Sequence, residues 1–365
     1  MKNLDKTTWK KVKFGDVARS LNTTVRDPQA AGLERVIGLE HIESNSLHIK
    51  TWGSIADGTT FTRTFQPGQV LFGKRRAYQR KAALAEFAGL CSGDILVLEA
   101  NEKQLLPQLL PFLVHSDGFF DHAVRTSAGS LSPRTKFQDL ADYEFLLPPR
   151  DQQARLAELL WAADAVGEEQ LKGLNALRAV KKESLRELFD PIKAESFTID
   201  EIAVCLDGKR KPVKKSDRSA GVYPYYGASG IVDYVEGFLY NESILLVSED
   251  GENLSTRNLD IAYEVDGKCW VNNHAHVLRI TNASRYLVKE YFNNSDISDY
   301  VSGSTRPKLN KSTLMEMSLY LPAREEQTVY EEKIKRIDNA IEKCEVAASQ
   351  NDKVKFQIIN QIFSA

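Results

Sequence analysis

The sequence predicts an α+β protein in which two globular domains, built from short strands and small helices, are separated by two long antiparallel coiled-coil spacer helices. Three observations predict this fold: the chain repeats itself once at a fixed offset, each copy begins with short β-rich runs, and each copy ends with a long helical pattern. A chain of 365 residues also exceeds the size of one hydrophobic core. The tandem repeat implies a pseudo-twofold relation between the two copies.

The repeat is clearest where each globular region ends. Residues 127–153 resemble residues 301–327, and one constant offset aligns the two segments without a gap. The same offset continues into the helical region, and a gapless run of about sixty residues is too long to be chance. The aligned pairs include Gly129 with Gly303, Ser130 with Ser304, Pro133 with Pro307, Gln153 with Gln327, Asp164 with Asp338 and Lys181 with Lys355.

Each copy opens with an irregular region in which turn residues separate short β-rich runs. The clearest runs are Gln69–Phe72 and Ile95–Leu98 in the first copy, and Ser243–Val247 and His276–Ile280 in the second. A Leu-Pro pair closes each region, and a residue before proline avoids helical backbone. We therefore expect a first globular domain at residues 1–149, a spacer helix at 150–190, a second globular domain at 191–323 and a second spacer helix at 324–365.

Each long helix carries a seam of apolar or small residues at the 3-4 spacing of a coiled coil. Polar residues interrupt both seams, which weakens the pairing and can fix its register. Two helices that pack only on their own domains are the alternative. A helix of about 40 residues would extend roughly 60 Å, so an antiparallel pair would hold the two domains at opposite ends. The seam positions are Leu160, Ala163, Gly167, Gln170, Leu174, Leu177, Lys181, Ser184 and Leu188, then Ile334, Ile337, Ile341, Cys344, Ala348, Asn351, Lys355, Ile358 and Ile362.

The charge is nearly balanced overall but unevenly distributed. A formal net charge of −2 argues mildly against strong binding to nucleic acid by the chain alone. Two basic clusters, at residues 74–81 and 209–218, supply the local positive potential that phosphate binding needs. Two solvated loops are the alternative interpretation of these clusters.

The four cysteines are isolated and show no C-x-x-C spacing, so neither a disulfide framework nor a zinc site is expected. Reduced thiols suit the cytoplasm. Residues 1–10 lack the apolar core of a signal peptide, and no apolar run approaches the roughly 20 residues that a bilayer requires.

With this repeat in place, the chain resembles the specificity subunit of type I restriction–modification systems. No single motif is highly specific, but their order, repeated once, is. The first copy reads Asp151-Gln152-Gln153 where an acidic residue commonly precedes the glutamine. The likeness covers essentially the whole chain and is carried by Trp9–Val17, Pro67–Lys74, Leu147–Gln153, Tyr223–Gly230, Ile244–Gly251, Val271–His276 and Leu321–Gln327.

The resemblance implies a non-catalytic subunit with two target-recognition domains, each reading one part of a bipartite sequence in double-stranded DNA. It also implies assembly with two DNA adenine methyltransferase subunits, which would pack on the spacer helices, and with a motor-nuclease subunit for cleavage. No cofactor or metal ion is implied for the chain itself.

In the first domain, the residues that we expect to touch DNA lie in a basic segment and in the repeated Gly/Ser-rich loop. Cations would bind phosphates, while polar side chains between them would suit base edges. Gly73 would let the backbone approach DNA closely, and Gly129, with Gly303, could instead merely turn the chain. The candidates are Lys74, Arg75, Arg76, Tyr78, Gln79, Arg80, Lys81, Arg125, Ser130, Arg134 and Lys136.

In the second domain, Glu249 and Asp250 could also accept from a cytosine amino group. The segment 272–274 could equally form a buried turn, which the neighbouring Trp270 favours, and His276 is expected to be a bonded histidine of a strand. The candidate DNA-binding residues are Lys209, Arg210, Lys211, Lys214, Lys215, Tyr225, Tyr226, Asn253, His274, Ser304, Arg306 and Lys308.

Catalytic motifs do not emerge from the sequence. A P-loop requires a second glycine and a hydroxyl after its lysine, which the segment around Gly73-Lys74 lacks. The prolines at 148–149 lack the polar and aromatic partners of a methyltransferase motif. Glu331 and Lys333 form the E-x-K of many nucleases, but the pattern predicts an exposed helix face there. The remaining alternatives are a protein-binding scaffold of the same shape and an orphan nuclease built on Glu331 and Lys333.

Overall fold

The computed structural model describes residues 4–303 and 305–363. By its internal contacts the chain forms two compact units. One contains the chain through Leu171 and again from Val346 onward, and the other spans Lys172–Glu345. Each unit therefore holds one sheet-rich domain together with parts of both long helices. No described helix is apolar over enough of its length to cross a membrane.

In its described residues the first domain contains ten strands and four short α-helices, followed by the first long helix. The strands are β1 Lys10–Lys13, β2 Ala18–Leu21, β3 Arg35–Ile37, β4 Gly53–Ser54, β5 Arg63–Phe65, β6 Val70–Gly73, β7 Ala82–Leu84, β8 Gly89–Cys91, β9 Ile95–Ala100 and β10 Glu144–Leu147. The helices are α1 Phe14–Val17, α2 Leu110–His115, α3 Asp117–Arg125, α4 Phe137–Ala141 and the long α5 Arg150–Leu188.

The second domain has the same number of strands and is followed by the second long helix. Its strands are β11 Glu195–Thr198, β12 Ala203–Cys205, β13 Ala220–Gly227, β14 Gly230–Val235, β15 Tyr240–Asn241, β16 Ile244–Ser248, β17 Ala262–Val265, β18 Lys268–Val271, β19 Ala275–Ile280 and β20 Ser318–Leu321. Its helices are α6 Ile199–Ile202, α7 Asn253–Thr256, α8 Arg285–Asn294, α9 Lys311–Glu316 and the long α10 Arg324–Phe363.

The two domains share one sheet topology, strand for strand. The first has sheets of order β1-β10, β2-β9-β6-β7 and β4-β3-β8-β5, and the second has β11-β20, β12-β19-β16-β17 and β14-β13-β18-β15. Even the parallel pairing of β3 with β8 recurs between β13 and β18. The repeat, which the sequence reveals over about sixty residues, therefore extends through both domains in three dimensions.

The central strand of each domain is buried on both faces, because successive side chains point to opposite sides. In β6, Phe72 packs with residues of α2 and α3, whereas Leu71 packs towards the other four-stranded sheet. In β16, Leu245 packs with α8, whereas Leu246 faces the other sheet. This double burial explains the continuous apolar runs that the sequence shows at these strands.

The predicted helical seams are confirmed, since every seam position is buried or half-buried. Within the first unit the helices are antiparallel, because Gly167 of α5 lies beside Asn351 of α10, whereas Asp164, earlier in α5, pairs with Lys355, later in α10, at 3.1 Å. The same direction holds within the second unit, because Lys181 contacts Asp338 at 2.7 Å and Arg178, earlier in α5, contacts Glu345, later in α10, at 2.6 Å. The fold is thus the expected α+β arrangement of two repeated domains with long antiparallel helices.

Candidate nucleic-acid interface

Three loops of the first domain meet at one place, which we call the first junction. The Lys74 amide donates to the Asp94 carbonyl at 2.9 Å, and the Lys74 carbonyl accepts from the Thr135 amide at 3.0 Å. The Arg76 amide donates to the Pro133 carbonyl at 2.8 Å. The basic segment and the Gly/Ser-rich loop, far apart in sequence, are therefore brought together. The first junction comprises residues 74–76, 92–94 and 127–136.

Cations outnumber carboxylates at the first junction. Arg134 and Arg75 both bind the Asp94 carboxylate, at 2.8 and 3.4 Å, and these two guanidinium groups hold its pKa below the usual range despite partial burial. Burial, together with neighbouring Arg63 and Arg134, lowers the pKa of Lys74. The site therefore already contains more positive charge than its one acid neutralises.

A tight turn carries the polar residues that follow the first junction. Arg76 and Arg80 adopt left-handed backbone conformations with φ of 54° and 51°, and the turn between them leaves the Tyr78 ring 57% exposed. Such strain in residues with side chains persists only where the surrounding structure holds it, often at functional sites. Half-buried Gln79 lies in the same turn.

Two side chains that the sequence predicts to contact DNA, those of Arg80 and Lys81, bind partners within the domain. The Arg80 guanidinium binds Asn45 at 2.7 Å and Asp117 at 2.9 Å, and the Lys81 ammonium donates to the Leu39 carbonyl at 2.6 Å. These two side chains already make their hydrogen bonds within the domain, and those bonds stabilise the turn.

The glycines near the first junction serve packing and turning. Gly73 is buried in β6, and a Cβ there would lie 2.9 Å from the Leu39 side chain. A glycine at this position therefore allows close packing inside the domain, and it is not explained by an approach of the backbone to DNA. Gly129 and Gly303 have φ of 116° and 87°, a region that favours glycine. The repeated glycine therefore turns the same loop in both domains.

Three other predicted residues of the first domain are exposed. Arg125 ends α3, Ser130 lies in the Gly/Ser-rich loop, and Lys136 precedes α4. Ser304, the counterpart of Ser130, lies outside the described residues.

The second domain builds an equivalent place, the second junction, with the same backbone hydrogen bonds. The Glu249 amide donates to the His274 carbonyl at 2.9 Å, and its carbonyl accepts from Leu309 at 2.8 Å. The Gly251 amide donates to the Pro307 carbonyl at 3.0 Å. The second junction comprises residues 249–251, 272–274, 302–303 and 305–309.

Charges at the second junction are paired within the protein. Two carboxylates, Glu249 and Asp250, are each contacted by at least two nitrogen-bearing side chains. Arg210 and Lys308 lie 2.5 and 3.1 Å from Glu249, and Arg306 and His274 each lie 2.9 Å from Asp250. Three predicted cations, with His274, are thus already bound to acids of the same domain.

The predicted aromatic and amide contacts of the second domain are structural. Tyr225 is only 1% exposed and its hydroxyl accepts from the Val213 amide at 3.0 Å, so it does not reach DNA as expected. Tyr226 packs against an internal apolar cluster. Asn253 closes its own loop, donating to and accepting from the Leu259 backbone. Sequence reasoning could not separate these side chains from surface residues because their types occur in both settings.

Four exposed lysines lie close together in the sequence of the second domain. In the described part of the chain none of them has a salt bridge, whereas Arg218 beside them binds Asp233 at 3.0 Å. Two of them, Lys211 and Lys214, line a cleft of about 650 Å³ whose lining also includes Arg218, Tyr225 and Trp270. The four are Lys209, Lys211, Lys214 and Lys215.

Sequence reasoning missed one cluster with the composition of a metal site. Potential ligand atoms of Asp207, Glu249 and His276 lie within 4.8 Å of one another. The guanidinium of Arg210 binds both carboxylates, at 3.1 and 2.5 Å. His276 is fully buried, with Nδ1 on Asp207 and Nε2 on the Leu309 carbonyl. The donors are therefore engaged by protein partners, and the cluster fits an ion-pair network better than a metal site.

The E-x-K segment lies on α10 as expected. The Glu331 carboxylate accepts from Ser284 at 2.6 Å and pairs with Lys335 at 2.5 Å, while Lys333 is exposed. These contacts are those of a helix face beside α8.

Comparisons with known proteins match this architecture. A sequence model of the family "Type I restriction modification DNA specificity domain" matches residues 191–348. A putative type I restriction enzyme specificity subunit of Haemophilus influenzae is 36% identical over 148 residues, which cover 40% of this chain and 37% of that protein. The EcoDI type I restriction enzyme specificity subunit of Escherichia coli is 27% identical over 139 residues, 34% of this chain and 30% of that protein. The matched segments thus span about a third of each relative.

Solved structures agree with the fold along the whole chain. The S subunit of a type I restriction–modification system from M. genitalium superposes with a TM-score of 0.64 at 13% identity, covering 100% of this chain and 98% of that one. A chain from a study of complex assembly and conformational transition of the type I R-M system gives a TM-score of 0.61 at 17% identity, covering 99% and 98%.

Proposed function

We propose that the chain is the DNA sequence-recognition subunit of a type I restriction–modification complex, because its residues 191–348 match the model of the type I restriction modification DNA specificity domain. The observation that carries the proposal is the shared strand order of the two domains. Because the first domain has the topology of the second, it is a recognition domain by the same argument. Two such domains, unlike in their loops, would read two unlike halves of a bipartite site.

We assign one role to each of the four segments whose boundaries are expected from the sequence. Residues 1–149 and 191–323 would read DNA, while 150–190 and 324–365 would space the readers and dock two adenine methyltransferase subunits. Exposed apolar side chains on the long helices support docking there: Leu159 and Val166 in the first unit are 44% and 50% exposed, and Val180 in the second is 54% exposed. Apolar side chains left in water on a helix face are typical of contact surfaces.

The proposal assigns no catalytic step and no cofactor to this chain. Methyl transfer would belong to the docked methyltransferase subunits and cleavage to a motor-nuclease subunit. The four cysteines are free thiols, in keeping with a complex that acts on DNA in the cytoplasm.

The DNA contacts that we retain have side chains that are exposed or half-buried. In the first domain they are the first junction with Tyr78, Gln79, Arg125, Ser130 and Lys136, and in the second they are Lys209, Lys211, Lys214 and Lys215. Cations would position the duplex through its phosphates, and Tyr78 with Gln79 would face base edges.

The proposal is tested by co-expressing the chain with the methyltransferase encoded beside it and mapping modified adenines in the host genome. We expect one bipartite motif with two unlike halves. A stable complex that modifies no adenine, or modifies adenines without a common motif, would overturn the recognition role.

A protein-binding scaffold is the second candidate, favoured by the net charge of −2. Replacing Lys209, Lys211, Lys214 and Lys215 with alanine separates the two candidates. A DNA reader loses salt-sensitive binding to duplex DNA because phosphate contacts disappear. Exposed Lys103 and Lys193, replaced together, serve as the control. A scaffold would leave DNA retention unchanged in both variants.

A further inference from the structure

The two junctions can be compared position by position because their backbone hydrogen bonds coincide. Lys74 corresponds to Glu249, because the backbone amide of each donates to the residue directly before a strand, β9 in the first domain and β19 in the second. The backbone carbonyl of each also accepts from the repeated loop. By the same bonds Asp94 corresponds to His274. Arg75 corresponds to Asp250, because each forms an isolated bridge with the loop residue Arg134 or Lys308. The last correspondence is Arg76 with Gly251, each of which donates to a loop proline.

The charges at two of these positions are reversed between the domains. Where the first junction has Lys74 and Arg75, the second has Glu249 and Asp250, and where the first has Asp94, the second has His274. Only the loop cation keeps its sign, as Arg134 and Lys308. The same backbone frame therefore supports opposite charge patterns.

At the first junction the cationic side chains outnumber the carboxylates that could neutralise them. Asp94 is bound by Arg75 and Arg134, and within the described part of the chain neither Lys74 nor Arg76 forms a salt bridge. The Nε atoms of Arg75 and Arg76 are buried without a hydrogen-bond partner. A buried charged group without a hydrogen-bond partner is unfavourable. An anion that binds here lowers that free energy, because the guanidinium groups can reorient and donate to it.

At the second junction the protein supplies the anions itself. Glu249 lies between Arg210 and Lys308, and Asp250 binds Arg306. Both carboxylates are mostly buried. An added phosphate would have to displace one of them and would meet the repulsion of the other.

We propose that the first junction binds a single phosphate group of the DNA backbone and that, at the second junction, the protein's own Glu249 and Asp250 occupy the place of that phosphate. The ligand is a phosphodiester, recognised by the Arg75 and Arg76 guanidinium groups and the Lys74 ammonium. This inference rests on the proposed function and adds to it that the domains hold the duplex by different means. Its phosphate chemistry can also be tested without DNA.

Two measurements on the full chain test the inference. The variant Lys74→Gln/Arg76→Gln removes two cations that have no salt bridge, so its fold should persist. In binding to a generic DNA duplex, the slope of log affinity against log salt should fall by about 0.9, the value for one lost phosphate contact. In thermal unfolding, inorganic phosphate at constant ionic strength should stabilise the unsubstituted chain more than the variant.

Two controls are matched to the variant. Lys103→Gln/Lys193→Gln removes the same charge elsewhere on the surface, and Asp250→Asn/Arg306→Gln neutralises one pair at the second junction. Both should keep the salt slope and the phosphate effect of the unsubstituted chain. If Lys74→Gln/Arg76→Gln does not fold, Lys74→Gln alone replaces it in both measurements.

The outcomes separate the inference from the proposed function. The phosphate site would be overturned, and the proposed function left standing, if the first-junction variant bound DNA with an unchanged salt slope. The same conclusion would follow if either control lost as much of the salt slope as that variant. No DNA binding by the chain or its assembled complex would overturn the function. A phosphate effect lost only in the first-junction variant would still support the anion site.

Discussion

His48 is held between two acids in the first unit. Its Nε2 lies 2.7 Å from Asp164 of α5 and its Nδ1 lies 2.9 Å from Glu86. The hydrogen bond to Asp164 is the main cause that raises the pKa of His48 to about 9, with Glu86 contributing and burial opposing. The charged imidazole thereby joins the domain to its helix.

This contact predicts a pH dependence of stability. Because the folded pKa of His48 lies above its ordinary 6.5, the stabilisation is fully present below pH 6.5 and is lost as pH rises through about 9. The loss is at most about 3.5 kcal/mol, since each pKa unit corresponds to about 1.4 kcal/mol. Urea unfolding at pH 6 and pH 9.5 should show a smaller pH difference for His48→Gln than for the unsubstituted chain. An equal difference would contradict the assignment.

Gln153 and Gln327 make the same buried contacts at the start of each long helix. Gln153 accepts from the Leu106 amide at 2.7 Å and donates to the Pro148 carbonyl at 3.0 Å. Gln327 accepts from Ser284 at 2.7 Å and donates to the Pro322 carbonyl at 3.0 Å. Each side chain therefore satisfies backbone groups that an apolar residue would leave unbonded.

We expect Gln153→Met and Gln327→Met each to lower the free energy of unfolding by about 2–3 kcal/mol, because buried backbone groups lose their partners. The change is measured from urea unfolding midpoints. Exposed Gln138→Met in α4 is the control and should shift stability by less than about 0.5 kcal/mol. A similar loss in all three variants would mean that the glutamine contacts are not responsible.

At the scale of the elements, one ion pair between the long helices occurs twice. Asp164 with Lys355 in the first unit and Asp338 with Lys181 in the second are related by the repeat offset. Asp164 and Lys355 have side chains 5% and 10% exposed, whereas Lys181 and Asp338 are 21% and 34% exposed. Polar seam residues therefore have partners that only an antiparallel register provides.

Double-mutant cycles should measure a larger coupling for the buried pair. We expect about 1–3 kcal/mol between Asp164→Asn and Lys355→Met, and about 1 kcal/mol or less between Asp338→Asn and Lys181→Met, because solvent screens the more exposed charges. The coupling is obtained from urea unfolding of the single and double variants. Equal couplings would contradict the dependence on burial.

At the scale of the whole molecule, charge should limit the DNA binding that we propose. The net charge is −2 and the second junction is neutralised from within, so few cations remain for phosphates. We predict that the isolated chain binds its target more weakly than the complex with methyltransferase subunits at physiological salt, because those subunits add contacts to the duplex. Titration of a fluorescent duplex with each would show this, and equal affinity would contradict it.

The sequence predicted the repeat, the two long helices and their seams, because periodic apolar spacing and a fixed offset are local properties. It also indicated the basic segment and the Gly/Ser-rich loop of the first domain. It did not indicate that Tyr225 is buried or that Asn253, Arg80 and Lys81 have hydrogen-bond partners within their domains. Residue type alone does not reveal which way a loop side chain points.

The sequence by itself determined the order of the elements and the family resemblance, since both depend on patterns read along the chain. Only the tertiary structure decided that the two junctions share one backbone frame with opposite charges. The residues concerned, such as Lys74 with Asp94 and Glu249 with Lys308, are far apart in sequence and meet through sheet pairing. Electrostatic energy depends on distance in space, which the sequence does not give.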